Sequence, residues 1–204
     1  MTKTALILVD LQNDFMPGGA LAVADGDATV RVANALMPDY DLVIATQDWH
    51  PADHMSFAAN HPANGPGELV QLDGLDQVLW PVHCVQGTAG ASFHSALNVA
   101  GIHEVIRKGS DRRVDSYSGF FDNGKRKSTG LSDLARSHGI ETVHVMGLAT
   151  DYCVKFTALD ALHEGFDVRL IVAGCRGVNL APGDAQRAVD DMLEAGVKEL
   201  HVNE

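Results

Sequence analysis

The stretch TVHVMGLATDYCVKFTALDAL, residues 142–162, passes from a short apolar, β-branched run into a helical pattern. The run 142–146 is typical of a buried strand, and Val154, Ala158 and Ala161 recur at the spacing of one helix face. Parallel strands require such an order, because the chain must cross back through a connecting segment before the next strand begins. The stretch therefore predicts a strand–helix unit of a parallel α/β sheet.

Similar apolar runs recur along the chain and are separated by helical patterns. They occupy residues 4–9, 42–46, 105–106, 142–146, 168–172 and 200–202. Continuous hydrophobicity, without alternation, indicates strands that are covered on both faces. We therefore expect a doubly wound α/β fold, with a mostly parallel sheet of about six strands and helices on both faces, formed by a single domain of residues 1–204.

The predicted helices carry recognisable end signals. Thr150 is expected to cap the helix that contains Cys153, and Gly165 to follow that helix. Pro182 is expected in the first turn of the last helix and Gly196 just beyond its end. A thiol at a helix N-terminus is favoured as thiolate by the backbone N–H groups and the helix dipole. A small buried cysteine that only packs as a hydrophobe is the alternative.

The composition limits the classes of partner and compartment. The net charge is −12, from 15 Lys and Arg against 27 Asp and Glu, which disfavours nucleic acid as a partner. The three cysteines form no paired framework, and no apolar run approaches the ~20 residues that a membrane span needs. No signal-peptide pattern is seen at the start of the sequence. We therefore expect a cytoplasmic protein that binds neither nucleic acid nor membrane.

Reactive side chains follow several of the predicted strands. Asp10, Lys108 and Cys153 each come at or just after an apolar run, and the carboxyl ends of parallel strands share one edge of the sheet. A carboxylate can take the thiol proton, an ammonium can stabilise both anions, and the N–H groups of Ala149 and Cys153 can form an oxyanion hole. Acyl transfer on an amide is the chemistry that such a set favours. Taken singly, a surface lysine and a structural carboxylate remain the alternatives.

A second group of residues has the composition of a metal site. Asp48 and His50 lie two apart, so that in extended backbone both point the same way, and His83 can complete a set of one carboxylate and two histidines. Such a set suits one divalent ion, with Zn²⁺ favoured over Fe²⁺ or Mn²⁺. The irregular segment 48–93, in which these residues lie, is long for a compact domain and so is expected to be functional. Solvated loop histidines are the alternative.

Six motifs together cover almost the whole chain. They are VDLQNDF (9–15), QDWHP (47–51), WPVHCVQGT (80–88), KG (108–109), DSYSGF (115–120) and GLATDYCV (147–154). In this combination the chain resembles the nicotinamidases, also called pyrazinamidases, of the isochorismatase-like cysteine hydrolase superfamily. The resemblance implies an amidohydrolase of NAD salvage that converts nicotinamide to nicotinate and ammonia, and that also accepts pyrazinamide.

The resemblance also implies residue roles. Asp10 would be the general base, Lys108 its electrostatic partner, and Cys153 the nucleophile that forms a thioester. A metal on Asp48, His50 and His83 would bind the ring nitrogen of the substrate, and His54 would either ligate that metal or support a ligand. The substrate pocket would include Phe15, Leu21, Trp80 and Tyr117. A cis peptide is expected between Leu148 and Ala149.

Other functions stay open on the sequence alone. A related cysteine amidase acting on carbamoyl or ureidoacrylate-type substrates would share the Asp10, Lys108 and Cys153 pattern but generally lacks the metal residues. In a third interpretation a metal-bound hydroxide attacks the substrate and Cys153 is structural. A homo-oligomer is compatible with the sequence, which does not report the number of subunits.

Overall fold

The protein is described here by a computed structural model of residues 3–202. The strands are β1 (Lys3–Val9), β2 (Leu42–Asp48), β3 (Leu69–Leu72), β4 (Leu75–Val78), β5 (Glu104–Lys108), β6 (Ile140–Leu148), β7 (Asp167–Arg176) and β8 (Lys198–Glu199). The helices of at least seven residues are α1 (Ala28–Leu36), α2 (Leu131–Ser137), α3 (Lys155–His163) and α4 (Asp184–Ala195). The outermost residues of the predicted domain, 1–2 and 203–204, lie outside this described part.

Six of the strands form one parallel sheet, in the order β5-β2-β1-β6-β7-β8. From β1 the chain adds strands on one side through β2 and β5, and then returns to add β6, β7 and β8 on the other. Right-handed crossovers in two opposite directions place helices on both faces of the sheet. The predicted doubly wound fold is confirmed, and its strand order reverses between β1 and β6, where open α/β sheets bind their ligands.

The central strands are buried on both faces, as their continuous hydrophobicity predicts. In β1 every residue from Ala5 to Val9 has no exposed surface, and β2 is buried along its whole length. Each large aliphatic side chain taken out of water in this way contributes about 1.5–3 kcal/mol. The sheet is therefore a rigid base, and polar residues that follow its strands are held in place by it.

The last predicted strand is wrong in position. Residues 200–202 are irregular, and the edge strand is formed instead by Lys198 and Glu199, which pair with β7. The apolar side chains of the segment misled the prediction, because a short edge strand is held by its backbone and its side chains are free to be polar. The other five predicted strands are confirmed, each extended by one to four residues at one or both ends.

Two of the four predicted helix signals are wrong. Pro182 lies before α4 and not in its first turn. Gly183, which lies between the proline and the first helical residue, has a left-handed conformation (φ +85°) that the helix cannot include. The Thr150 side chain makes no capping hydrogen bond, and the turn before α3 is instead a wide π-helical one, Thr150–Val154. Gly165 (φ +88°) and Gly196 (φ +112°) do end α3 and α4 as expected.

The long segment 48–93 contains a two-stranded hairpin that the sequence analysis did not include. Strands β3 and β4 pair in antiparallel fashion around Asp73 and Gly74, both of which have positive φ. Two left-handed residues in a two-residue loop match the right-handed twist of a hairpin, and Asp-Gly is a preferred sequence for this turn. The dipeptide between two tetrapeptides that begin and end with apolar residues was therefore a usable signal for the hairpin.

Candidate active site

The turn that carries Cys153 follows the central strand β6. The peptide bond between Leu148 and Ala149 is cis, as expected from the family resemblance. The Ala149 carbonyl accepts hydrogen bonds from the N–H groups of Tyr152 and Val154, both at 3.1 Å, and the intervening Cys153 N–H is not among its donors. Cys153 itself is buried, with 7% of its surface exposed. The turn thus presents a thiol and nearby backbone N–H groups at the carboxyl edge of the sheet.

A fully buried lysine joins the reactive groups of this edge. The Nζ atom of Lys108 lies 2.7 Å from Oδ2 of Asp10, 2.6 Å from Oδ1 of Asp48 and 3.3 Å from Sγ of Cys153. Sheet register explains part of this geometry, since Asp48 and Lys108 are paired residues of β2 and β5. The structure therefore brings together the three residues for which the sequence predicts catalytic roles.

The three protons of Lys108 have three acceptors. Its ammonium donates to Asp48 Oδ1, to Cys153 Sγ and, at 3.0 Å, to the carbonyl of Ser116. The contact with Asp10 Oδ2 is an ion pair without an aligned hydrogen bond, and that oxygen has no other hydrogen-bond partner within the described residues. One oxygen of Asp10 is thus available to accept a proton.

The environment of Asp10 is suited to a proton acceptor at neutral pH. Burial raises its pKa to about 6, although Lys108 and a hydrogen bond from Thr46 work in the opposite direction. In that bond the Thr46 hydroxyl donates to Oδ1 of Asp10 at 2.6 Å. A carboxyl with this pKa is mostly ionised at neutral pH and is still basic enough to take a proton.

The thiol differs from the sequence-based expectation of a thiolate. Burial raises the pKa of Cys153 well above its usual range, and the opposing effect of Lys108 does not offset it. The pKa of Lys108 is also raised, because Asp10 and Asp48 outweigh the effect of burial. The cluster therefore holds two carboxylates, one ammonium and a protonated thiol, so that a base is needed to make the nucleophile.

The predicted metal residues also lie together, around the carboxylate oxygen of Asp48 that does not contact Lys108. The Oδ2 atom of Asp48 is 3.5 Å from Nε2 of His50 and 3.8 Å from Nε2 of His83, and all three side chains are buried. The Nδ1 groups of the two histidines donate to the carbonyls of Gly109 and Pro81, both at 2.8 Å. These bonds leave the Nε2 atoms directed toward Asp48, and Nε2 is the atom through which each histidine could bind a metal.

The donor set fits a divalent cation. The Nε2 atom of His50 is buried and has no hydrogen-bond partner within residues 3–202, although buried polar atoms are normally paired. Two imidazoles and one carboxylate are a common set for Zn²⁺ and for Fe²⁺ or Mn²⁺. The described residues therefore form a potential metal site at Asp48, His50 and His83.

The third predicted histidine, His54, is close to this site but faces a different neighbour. The ring of His54 lies 4.6 Å from that of His50, and its buried Nε2 atom also lacks a partner within residues 3–202. Its Nδ1 atom is bound to the Ser56 hydroxyl at 2.7 Å. Together with His50 and Asp115 it forms a second group of potential ligands. Asp115 was not predicted, although the motif DSYSGF begins with it.

A narrow pocket is lined by residues of both the cysteine cluster and the potential metal site. It is lined by Phe15, Leu21, Asp48, Trp80, His83, Asp115, Tyr117, Ala149, Tyr152, Cys153 and Val178. All four predicted pocket residues are in this lining. Tyr152 was not predicted, although it precedes Cys153 in the motif GLATDYCV; its ring meets that of Trp80 edge-on at 4.7 Å. The lining thus combines four aromatic rings with the thiol and several polar groups, which suits a flat, ring-containing amide.

Fold and site together define an α/β protein with a cysteine-centred hydrolase-like cluster beside a potential metal site. Residues 4–198 match the isochorismatase domain family, and the chain belongs to that family. Within it, the chain is 55% identical to the nicotinamidase of Escherichia coli, over 96% of this chain and 93% of that protein.

Solved structures support the same assignment. A nicotinamidase and pyrazinamidase of Acinetobacter baumanii superposes with a TM-score of 0.95 at 45% identity, covering 98% of this chain and 97% of the other. A pyrazinamidase of Pyrococcus horikoshii in complex with zinc has a TM-score of 0.80 at 37% identity, covering 98% and 99%. The similarity therefore extends over the whole fold, including every element that carries the site.

Proposed function

We propose that the protein is a nicotinamidase, which hydrolyses nicotinamide to nicotinate and ammonia and also accepts pyrazinamide. The observation that carries this proposal is that Asp48 contacts both Lys108 and the two histidines, so that a nucleophile and a metal-binding group face one aromatic pocket. The nicotinamidases and the pyrazinamidase to which the chain is similar support the same substrate.

In the first half of the reaction Asp10 takes the thiol proton of Cys153, and the sulfur attacks the carboxamide carbon. Lys108 stabilises both the carboxylate and the developing thiolate, because it contacts Asp10 and Cys153. The N–H groups of Ala149 and Cys153 are proposed as the oxyanion hole, where each donor contributes about 3 kcal/mol to transition-state stabilisation. Asp10 then gives its proton to the leaving nitrogen, and ammonia departs from a thioester on Cys153.

In the second half Asp10, again a carboxylate, takes a proton from an incoming water, whose oxygen attacks the thioester carbon. The carbon–sulfur bond breaks, the thiolate recovers the proton from Asp10, and the new carboxyl group gives its remaining proton to solvent and leaves as nicotinate. The raised pKa of Asp10, about 6, suits both directions of proton transfer. One carboxyl thus serves as base and acid in turn.

Asp48, His50 and His83 would hold one divalent ion, which we propose to be Zn²⁺. The pyrazinamidase from Pyrococcus horikoshii that contains zinc supports this choice over Fe²⁺ or Mn²⁺. When bound, the ion would supply a Lewis-acid position that holds the pyridine nitrogen of the substrate. His54, whose Nε2 atom has no hydrogen-bond partner among the described residues, is proposed to ligate the ion or to support a ligand. Phe15, Leu21, Trp80 and Tyr117 would hold the ring.

We also propose that residues 1–204 form one hydrolase domain that works in the cytoplasm, on a small-molecule substrate and without nucleic acid. The three cysteines are free, as expected in a reducing compartment, and the net charge is strongly negative. Within residues 3–202 no helix combines the length and the apolarity needed to span a membrane.

Ammonia release from nicotinamide by purified protein tests the proposal, with Cys153→Ala as the control. Equal ammonia release by the two proteins would contradict it. Carbamoyl and ureidoacrylate-type compounds offered in parallel test the alternative amidase, which is favoured if one of them is turned over and nicotinamide is not. Trapping of a thioester on Cys153 distinguishes the cysteine mechanism from attack by a metal-bound hydroxide.

A further inference from the structure

Gln77 is a buried polar residue on a hairpin that is otherwise at the surface. It is 3% exposed, whereas the remaining residues of β3 and β4 are exposed or partly exposed. A buried amide must find hydrogen-bond partners or lose about 1–3 kcal/mol. Its partners therefore indicate why this side chain turns inward from the hairpin.

The amide nitrogen of Gln77 is directed at residues of the pocket wall. Its Nε2 atom lies 2.8 Å from the Val78 carbonyl, 3.2 Å from Oδ2 of Asp115 and 3.0 Å from the hydroxyl of Tyr117. The carbonyl and the carboxylate can only accept, so the NH₂ end of the amide must face this group, and its two protons are shared among the three oxygens. The orientation of the amide is thus determined by its surroundings.

The Tyr117 hydroxyl is held from two sides. It accepts from Gln77 and also from Nε1 of Trp80, at 3.2 Å, so that both of its lone pairs are used. The Tyr117 ring in turn lies 5.5 Å from that of Tyr152. Trp80, Tyr117 and Tyr152 all line the pocket beside Cys153. One amide on the hairpin therefore contacts the residue that links these three rings.

We propose that Gln77 is a positioning residue for amide hydrolysis, which acts by holding Tyr117 and through it the aromatic wall of the pocket. The inference rests on the proposed function, because the substrate ring is what the wall would hold. Gln77 does not line the pocket, so that its effect falls on substrate binding and not on the bond-making groups.

Gln77→Met tests the proposal, since it keeps the length of the side chain and removes both polar atoms. The KM for nicotinamide is expected to rise about 3- to 10-fold, the value of one hydrogen bond, with kcat changed less than 2-fold. The near-UV circular dichroism of Trp80 is expected to change as well. Gln71→Met, on the exposed side of the same hairpin, is the matched control and is expected to change neither quantity.

A merely structural role for Gln77 would lower the melting temperature and leave KM unchanged, and that outcome would overturn the proposal. If Gln77→Met fails to fold, Gln77→Leu and Tyr117→Phe probe the same contact. Tyr117→Phe and the Gln77 variant should not be additive in KM, because they remove the same hydrogen bond. Additive effects would contradict the shared contact.

The two proposals fail in different ways. If the wild-type protein releases no ammonia from nicotinamide, the proposed function is wrong, whatever the near-UV signal of the variants. If the wild type is active and KM is unchanged in a folded Gln77→Met protein, the function stands and only the role of Gln77 is overturned.

Discussion

The two halves of the site share one carboxylate but differ in how their polar atoms are satisfied. In the proton-transfer half, formed by Asp10, Lys108 and Cys153, each proton of the lysine has an acceptor. In the ligand half, formed by Asp48, His50 and His83, the imidazole Nε2 atoms converge on one carboxylate oxygen, and His50 Nε2 has no hydrogen-bond partner in the described part of the chain. The protein itself supplies the cation of the first half, Lys108, whereas the second half is an arrangement that a bound cation would stabilise.

This difference indicates which part of the reaction depends on each half of the site. The proton-transfer half can be studied as a property of the folded chain, and its substitutions should change the chemical step. The ligand half should change substrate binding and should respond to metal concentration. Asp48 is the point at which the two can be coupled, and the following predictions separate or sharpen the two roles.

The largest effect is expected for Cys153→Ala. Loss of the nucleophile should lower kcat by about 10⁴- to 10⁶-fold, while the metal content stays that of the wild type, because the thiol is not one of the three predicted ligands. Ammonia release and metal analysis measure the two quantities. Cys175→Ala is the control, since this buried thiol donates to the Ile171 carbonyl and does not line the pocket. Residual activity within 10-fold of the wild type would remove Cys153 from the mechanism.

Lys108→Met should be the most destabilising of these substitutions. It leaves Asp10 and Asp48 buried without their cation, at an expected cost of about 3–5 kcal/mol in the free energy of unfolding, and it should also abolish most activity. Urea unfolding measures the change. The control Lys155→Met breaks a surface pair with Asp191 and should cost less than about 1 kcal/mol. Equal stability of the two variants would show that the buried cluster is not what holds this edge together.

Removal of the metal should act on the other half. We expect chelation to raise the KM for nicotinamide about 10- to 100-fold with a smaller change in kcat, because the ring nitrogen loses its partner. The melting temperature should also fall, since the ion binds the folded state. Steady-state kinetics before and after readdition of Zn²⁺ test both points. An unchanged KM in chelated protein would contradict the proposed role of Asp48, His50 and His83.

The smallest effect concerns the pH profile. With a pKa of about 6, Asp10 should lose its ability to accept the thiol proton as the pH falls through that value, so that kcat/KM declines on the acid side. Thr46→Val removes a hydrogen bond that lowers this pKa, and it should therefore move the acid limb upward by about half to one pH unit.

A buried threonine that is not hydrogen-bonded to Asp10 provides the comparison for this pH shift. Thr157 accepts a hydrogen bond from the Gly119 N–H at 2.9 Å, and Thr157→Val should leave the acid limb where it is. The rate profile of each variant between pH 4.5 and 8 would be compared with that of the wild type, a range that begins about one and a half units below the expected pKa and ends about two units above it. A limb that does not move in Thr46→Val would exclude Asp10 as the titrating group.

Much of the site was predictable because it follows from strand ends. Asp10, Asp48, Lys108 and Cys153 all stand where apolar runs stop, and a parallel sheet delivers such residues to one edge. The cap predicted at Thr150 is wrong because a wide turn precedes the helix. In this turn a backbone carbonyl, and not a side-chain oxygen, accepts the hydrogen bonds of the N–H groups.

Contacts across the fold were not predictable in the same way. The hydrogen bond from Thr46 to Asp10 and the contact of Lys108 with the Ser116 carbonyl join residues of different elements, and no local pattern reports them. The protonated state of Cys153 depends on its burial, which outweighs the helix-terminus effect used in the sequence analysis. The direction of a pKa shift thus requires the packed structure.

The β3–β4 hairpin has a consequence for how members of such a family can diverge. It pairs with no strand of the main sheet, its tip is tied to a neighbouring loop by Arg126 and Asp73, and one inward side chain reaches the pocket wall. Substitutions on this hairpin can therefore change which amides bind in the pocket without changing Asp10, Lys108 or Cys153. A library of substitutions on this hairpin could therefore be screened for activity on new substrates at little cost to folding.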